Sequence, residues 1–399
     1  MTVVIHTQYF TPETGASQVR LLHLAKGLLR AGHNVRVLTG MPNYPAGRIY
    51  PGYGGFYRRE KVQGIDVTRS FIYPNRRFSF AGRLANYFSF MVSSLVVGLS
   101  LSRADIVITD SPPLFLGISG YLLSRALGAK WVFNVADLWP ESAVEMGVIK
   151  RGGLVHRLAE RLEGLCYRKA WLVTGQSSTI VETIKDRFAP RRTYHLSNGV
   201  DPAAFRPAAA DNASLARASG VTVVYAGLHG MAQGLEQIVE AAVLLRDLDQ
   251  LKLELIGDGP SKPQLVALAR TKQADNVRFR DPIPHSSMPG TIASADICIV
   301  PLAAHITGAV PSKLYEAMAC ARPVVLVATG EAADIVNRTN AGIVVSPGDV
   351  QGLAEAIRYL STNVEARKMM GMSGRRAVLA EFNRTRIVDD FVSYLSRNS

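Results

Sequence analysis

The sequence predicts an α/β protein of two doubly wound, Rossmann-like parallel sheets. Short apolar strand runs alternate with helical periodicities along all 399 residues. The alternation runs through twice, on either side of a Pro-, Ala- and Asp-rich stretch over residues 196–218. In the second half, three strand-to-helix loops carry glycine or proline, and such loops at the ends of neighbouring parallel strands form a ligand crevice. The expected domains are 1–196 and 197–380, followed by a last helix over 381–399.

In the first half, an apolar strand over residues 3–6 is followed by a helix over 17–31 and a strand over 34–39. A loop rich in Pro, Gly and Tyr then covers 41–57. A hairpin is expected over 56–71, with Gln63-Gly64 at its turn. Strands near 105–109, 130–135, 171–174 and 193–196 continue the pattern. The second half places strands near 221, 252, 277, 296, 324 and 343, and from Val350 the chain reads as almost all helix.

Hydrophobic residues at 48% and charged residues at 19% describe a globular chain long enough for two cores. The three cysteines, Cys166, Cys298 and Cys320, lack metal-like spacing and read as reduced thiols of a cytoplasmic protein. Residues 1–199 hold 25 Lys and Arg against 12 Asp and Glu, whereas residues 200–399 hold 20 of each. The whole net charge of +13 therefore sits in the first half and points to an anionic partner there, such as a membrane surface. No nucleic-acid motif accompanies it. The opening Val3-Val-Ile5 reads as a buried strand and not as a signal peptide. Residues 84–102 carry no charge but contain Asn86, Gly98 and five serines, so they read as a helix packed on the sheet with one face available to lipid.

Chemistry concentrates in three loops. In Gly308-Ala-Val-Pro-Ser-Lys-Leu-Tyr-Glu316 a helix opens at Pro311, read here as its first helical residue. The free amides of that turn, with Ser312 and the Lys313 ammonium, face an anion together. Glu316 lies on the same face, where it can accept two hydroxyl hydrogen bonds from a ribose. In Val223-Val-Tyr-Ala-Gly227-Leu-His-Gly230-Met-Ala-Gln-Gly234, a strand enters a glycine loop before a helix, with His229 and Gln233 as possible donors. Leu253-Glu-Leu-Ile-Gly257-Asp-Gly259 repeats the device and brings Asp258 to the turn. The one Asp-x-Asp, Asp247-Leu-Asp249, reads as a surface helix end, so no metal site is expected.

Together these runs resemble the retaining GT-B glycosyltransferases of glycosyltransferase family four. In the first half the resemblance is carried by Tyr9-Phe-Thr-Pro-Glu-Thr-Gly15-Ala-Ser-Gln-Val-Arg20, by Ala104-Asp-Ile-Val-Ile-Thr-Asp-Ser-Pro-Pro113 and by Val135-Ala-Asp137-Leu-Trp-Pro-Glu141. At the junction it is carried by Ser197-Asn-Gly-Val-Asp201. Within the family the chain looks most like the bacterial O-antigen and capsule branch, including N-acetylfucosaminyltransferases. The resemblance implies two domains facing a cleft, with the last helix crossing back to the first domain. It implies a nucleoside-diphosphate sugar, UDP-linked, as substrate and no cofactor or metal, with the Gly15-Ala16 loop against the diphosphate and the attacking hydroxyl; Arg20 and Lys313 are the candidates to supply the diphosphate with positive charge.

Two departures from the family pattern matter. The basic residues usual in the first glycine loop are replaced by Leu228 and Gln233, and the first Glu of the Glu-x7-Glu pair falls on Gly308. Asp137 and Glu141 become the carboxylates expected to serve the acceptor or donor sugar. The activity implied is transfer of an N-acetylated hexosamine or deoxyhexosamine to a polyprenyl-diphosphate-linked or other glycan acceptor. The enzyme would sit peripherally on the inner face of the plasma membrane. The alternatives are a GT-B nucleotide-sugar 2-epimerase and a non-catalytic basic binding protein.

Overall fold

The computed structural model describes all residues except 14, 76–79, 209–219, 304, 305 and 399. The chain forms two compact units, Met1–Asn198 with Thr385–Ser399, and Gly199–Arg384.

The first unit runs β1 (Thr2–His6), α1 (Ala16–Arg30), β2 (Asn34–Gly40), β3 (Tyr57–Val62), β4 (Ile65–Ser70), α2 (Phe80–Gly98) and β5 (Ile106–Ser111). It continues with α3 (Leu116–Ala126), β6 (Lys130–Val135), α4 (Glu141–Glu145), α5 (Leu154–Lys169), β7 (Leu172–Gly175), α6 (Ser178–Phe188) and β8 (Thr193–His195). The sheet order is β3-β4-β2-β1-β5-β6-β7-β8, parallel except for the antiparallel β3. The expected hairpin forms because Gln63 and Gly64 both take positive φ, 52° and 84°, as a tight two-residue hairpin turn requires. Strand order reverses between β1 and β5, so the loops after those strands border the unit's switch point.

Residues 84–102 contribute to α2, which packs on β2, β4 and α3. No helix among the described residues is long and apolar enough to cross a membrane.

The second unit runs β9 (Val221–Ala226), α7 (Glu236–Val243), β10 (Leu251–Ile256), α8 (Lys262–Thr271), β11 (Val277–Arg280), α9 (Met288–Ser294) and β12 (Ile297–Pro301). Then follow α10 (Ser312–Ala319), β13 (Val324–Val327), α11 (Glu331–Thr339), β14 (Gly342–Val345), α12 (Val350–Thr362) and α13 (Val364–Ala380). Its six parallel strands lie in the order β11-β10-β9-β12-β13-β14, with the switch point between β9 and β12. β12 and β13 are buried along their whole length, which is why Ile297-Cys-Ile-Val300 and Val324-Val-Leu-Val327 read as unbroken apolar runs. One core holds residues of α9, α10, α11 and α13 against the sheet, and the opposite core holds residues of α7, α8 and α12.

The junctions lie a few residues beyond 196/197 and 380/381. Val200 pairs with Asn383 in a short bridge, with Val200 N–H to Phe382 O at 2.9 Å and Arg384 N–H to Val200 O at 2.9 Å. That bridge closes the second unit. The final helix, α14 (Arg384–Asn398), then groups with the first unit, where Val388, Phe391, Val392 and Leu395 are buried in the core that also holds α1. Phe391 stacks on Tyr194 at 5.1 Å between ring centroids. Phe391→Ala should lower stability by about 3–5 kcal/mol, as expected for emptying a fully packed aromatic site. Urea denaturation measures it, and a loss below about 1 kcal/mol would mean that α14 does not help hold its unit together.

Candidate functional site

At the switch point of the second sheet, the backbones of the β9 and β10 loops approach each other too closely for side chains, and the Lys313 side chain lies against the first of them. A Cβ on Gly227 would stand 2.2 Å from Lys313 Cε and 2.7 Å from its Nζ. A Cβ on Gly257 would stand 1.9 Å from Gly227 O, and one on Gly259 would stand 2.4 Å from His229 O. The β9 and β10 loops are stitched together by His229 N–H to Asp258 O at 2.8 Å and Ser261 N–H to His229 O at 2.9 Å. Tyr225 Oη donates to Leu228 O at 2.6 Å, and Lys262 Nζ donates to Gly257 O at 2.9 Å.

Against this bare backbone lies the start of α10. Pro311 is the N-cap residue and not the first helical position: its ψ of 132° is extended and Ser312 begins the helix. The first turn has no side-chain cap and no acidic residue, so its free amides and the dipole present positive charge. Lys313 Nζ lies 5.8 Å from the centre of the Tyr225 ring and has no ion pair among the described residues. Desolvation holds its pKa below the ordinary lysine range, with Glu316 pulling the other way. No hydrogen bond holds the Glu316 carboxylate among the described residues, and that residue is half-buried, one turn further along the same helix. The structure thus brings together Gly227, Gly257, Gly259, Ser312, Lys313 and Glu316.

Other expected donor residues differ. His229 is fully buried between Tyr225 and Phe279, at 6.0 and 6.4 Å, and neither ring nitrogen has a partner among the described residues. Its pKa is lowered by desolvation, then by Lys262, against Asp258, so the ring is neutral and supplies no charge to an anion. Gly257 lies against the ring, where a Cβ would stand 3.3 Å from Nε2, and Gly259 lets the β10 loop pass the His229 backbone; that packing is invisible in a local motif. Asp258 is exposed and its carboxylate accepts the N–H of Gly259 at 2.8 Å, so it shapes its own turn. Gln233 closes a 3-10 turn over Met231–Gln233 beside Gly230, and its buried Oε1 has no hydrogen-bond partner among the described residues.

In the first unit, Gly15 is the N-cap of α1 and Ala16 its exposed first residue, again with no side-chain cap and no acidic residue in the first turn. Arg20 corrects the expectation. It is buried, its Nη2 pairs with Asp110 Oδ1 at 2.7 Å, and its Nη1 donates to Asn198 Oδ1 at 3.1 Å. Asp110 also accepts from Ser17 Oγ at 2.7 Å and Asn134 Nδ2 at 2.5 Å, and Asn134 in turn accepts from Thr174 at 2.6 Å. The guanidinium charge is therefore spent on tying α1 to the ends of β5, β6 and β7.

Asp137 follows β6 and does not cap α4, whose N-cap is Pro140. It is open to solvent on one side, and its carboxyl is raised above the usual range by desolvation, with Arg20 opposing and Asp110 adding. Glu141 is corrected too: it begins α4 and both its oxygens are held by the Arg151 guanidinium.

Glu13 was missed by sequence reasoning. Buried beside α1, it accepts N–H donors from Phe10, Asn43 and Tyr44 at 3.1, 2.8 and 2.8 Å, fastening the loop after β2 to the loop after β1. Burial pushes its carboxyl up to about 7 against those donors. Its only sequence signal is an acidic residue two places before Gly15. Among the described residues no group of three or more His, Cys, Asp or Glu is placed to hold a metal ion.

Two family models match the chain: Glycosyl transferase 4-like domain over residues 15–199, and Glycosyl transferases group 1 over residues 220–363. The probable glycosyltransferase WbjE of Pseudomonas aeruginosa is 29% identical over 285 residues, covering 69% of this chain and 70% of that protein. The putative colanic acid biosynthesis glycosyl transferase WcaI of Escherichia coli is 26% identical over 375 residues, covering 90% and 91%. Among solved structures, sucrose-phosphate synthase from Thermosynechococcus elongatus superposes with a TM-score of 0.79 at 19% identity, over 100% of this chain and 99% of the other. Anabaena HepE in complex with UDP gives 0.75 at 18% identity, over 100% of both.

Removing Arg20 leaves the buried Asp110 carboxylate without its cation, so Arg20→Ala should cost about 3–5 kcal/mol of stability in urea denaturation. Combining it with Asp110→Asn should recover part of that loss. A double variant no more stable than the single one would contradict the pairing.

Proposed function

Taking as premise that this chain is a glycosyltransferase of the GT-B fold, with a glycosyl transferase 4-like domain followed by a glycosyl transferases group 1 domain, we propose that it is a retaining enzyme of bacterial surface polysaccharide synthesis. It moves an N-acetylated hexosamine or deoxyhexosamine from a UDP-sugar to a lipid-linked glycan at the inner face of the plasma membrane. The observation that carries the donor reading is the uncapped start of α10. There Lys313 lies over the bare backbone of Gly227, with Glu316, which no described residue holds by a hydrogen bond, on the following turn. The solved relative that holds UDP supports the nucleotide, and the relative named for colanic acid synthesis supports the polysaccharide context.

In the proposed reaction the acceptor hydroxyl attacks the anomeric carbon on the face from which the diphosphate leaves. The new glycosidic C–O bond forms, the anomeric C–O bond to the diphosphate breaks, and a diphosphate oxygen takes the hydroxyl proton. Charge on the leaving group is the main electrostatic demand. We assign it to the α10 amides and Lys313, which takes over from the basic residues that Leu228 and Gln233 replace. Glu316 takes the ribose hydroxyls, and Asp137 is assigned to the acceptor side. No metal takes part in this scheme, so a chelator should leave turnover unchanged.

Glu316→Gln should weaken UDP binding by about 1.5–3 kcal/mol with little change in stability, since a charged acceptor is lost. Titration calorimetry reads it, and unchanged affinity removes Glu316 from the site. Binding needs the Lys313 ammonium, and its folded pKa is lowered. Affinity should therefore fall as pH rises, starting below the ordinary lysine pKa of about 10.4, and Lys313→Ala should abolish that alkaline fall along with most of the affinity. Mass spectrometry of products from a panel of nucleotide sugars with a polyprenyl-diphosphate acceptor tests the reaction itself. Turnover without acceptor would identify an epimerase, and binding without turnover a non-catalytic protein.

A further inference from the structure

We propose that the outer face of the helix layer α2–α3–α5 is the surface on which this protein rests on an anionic lipid bilayer. The inference rests on the lipid-linked acceptor reading and says which surface meets the lipid. The inner sides of these helices share one core against the sheet, and α3 packs against both neighbours. Their outer sides are unusually apolar. Phe88, Val92 and Val96 follow one another at helical spacing along α2, 40%, 55% and 53% exposed, and Leu99 just beyond its end is 56% exposed. Ile118 and Leu122 continue the face on α3, and Leu154, Leu158 and Leu165 continue it on α5. Exposed apolar surface shared by three adjacent helices marks an interaction site.

The charges on this layer select the partner. Neither α2 nor α3 contains a carboxylate, and α5 contains two. Of these, Glu160 pairs with Arg187 at 2.7 Å, and Glu163 is buried on Tyr167 Oη at 3.0 Å. Exposed Arg157, Arg161, Arg168 and Lys169 interleave with the leucines of α5, and Arg83 and Arg125 stand on α2 and α3. A second copy of this face would set cation against cation. An anionic bilayer offers acyl chains to the apolar stripe and phosphates to the cations.

At the far end of α2 the chain turns through Ser100 and Ser102, which wall a groove of about 560 Å³ at the sheet edge. Arg36 and Arg59 line that groove, and neither pairs with a carboxylate among the described residues. The groove's own carboxylates are taken: Glu60 by Arg69 at 2.5 Å and Asp66 by Lys61 at 3.8 Å. The groove suits a lipid phosphate at the edge of the same surface.

The test is flotation of the full chain with vesicles of phosphatidylcholine alone or mixed with phosphatidylglycerol. Binding should require phosphatidylglycerol and weaken with salt. Val92→Asp combined with Val96→Asp should lower partitioning about tenfold or more and remove its salt-resistant part, and Arg157→Glu with Arg161→Glu should lower the salt-sensitive part by about as much. UDP affinity of both variants should equal that of the unaltered chain. Equal partitioning into both vesicle types, no partitioning at all, or variants that partition like the unaltered chain would each overturn the proposal. A chain that floats with vesicles but fails to bind UDP would leave this surface standing and remove the donor reading instead.

Discussion

At position 227 the backbone takes a φ of 155°, which L side chains rarely adopt, and a Cβ there would stand 2.2 Å from Lys313 Cε and displace the lysine. The C-terminal end of the second sheet, where we propose the donor binds, is organised around that contact. It brings a lysine onto backbone at the reversal of strand order and desolvates its ammonium. It also sets the free amides of an uncapped helix beside it. Gly257 and Gly259 extend the same constraint, since the β10 loop presses on Gly227 and His229. The loops are thereby braced before any ligand arrives, so less ordering remains to be done on binding.

The first unit reaches the equivalent place by other means. At its switch point α1 is anchored by the buried Arg20–Asp110 pair and the hydrogen bonds that surround Asp110. Glu13 fastens the neighbouring loop from the other side. Burying such charges is costly unless they are matched; the Arg20–Asp110 group is matched from α1, β5, β6 and β7, and Glu13 by backbone N–H groups of the loops after β1 and β2. The result is an uncapped helix start at Gly15 and Ala16, held by side chains that are themselves spent. In both units the residues that hold the loops are largely distinct from those left free to act.

That division explains what could be read in the sequence. The succession of strands and helices, the Gln63-Gly64 turn and the glycine loops were legible because each depends on residues near one another in the chain. So was the Lys313 and Glu316 face, which follows from helical spacing alone. Arg20 was misread because its partner stands 90 residues away. His229 was misread because a loop some thirty residues later closes over it, and the two spent carboxylates, Glu141 and Asp258, because their partners are set by local folding that a motif does not specify. Pro311 was one position off because a proline suits either side of a helix start. The exposed apolar face of α2, α3 and α5 was only half legible: periodicity reveals a stripe, but which stripe faces the sheet depends on how the three helices lie side by side.

The central claim is that the bare backbone at Gly227 and the start of α10 form a diphosphate site served by Lys313. A crystal structure of the full chain grown with UDP tests it most directly. The account predicts diphosphate oxygens within hydrogen-bond reach of the first α10 amides and Lys313 Nζ, with the ribose hydroxyls on Glu316 and the His229 ring still enclosed. Nucleotide bound with its phosphates away from α10, or a His229 ring swung out onto the diphosphate, would contradict it.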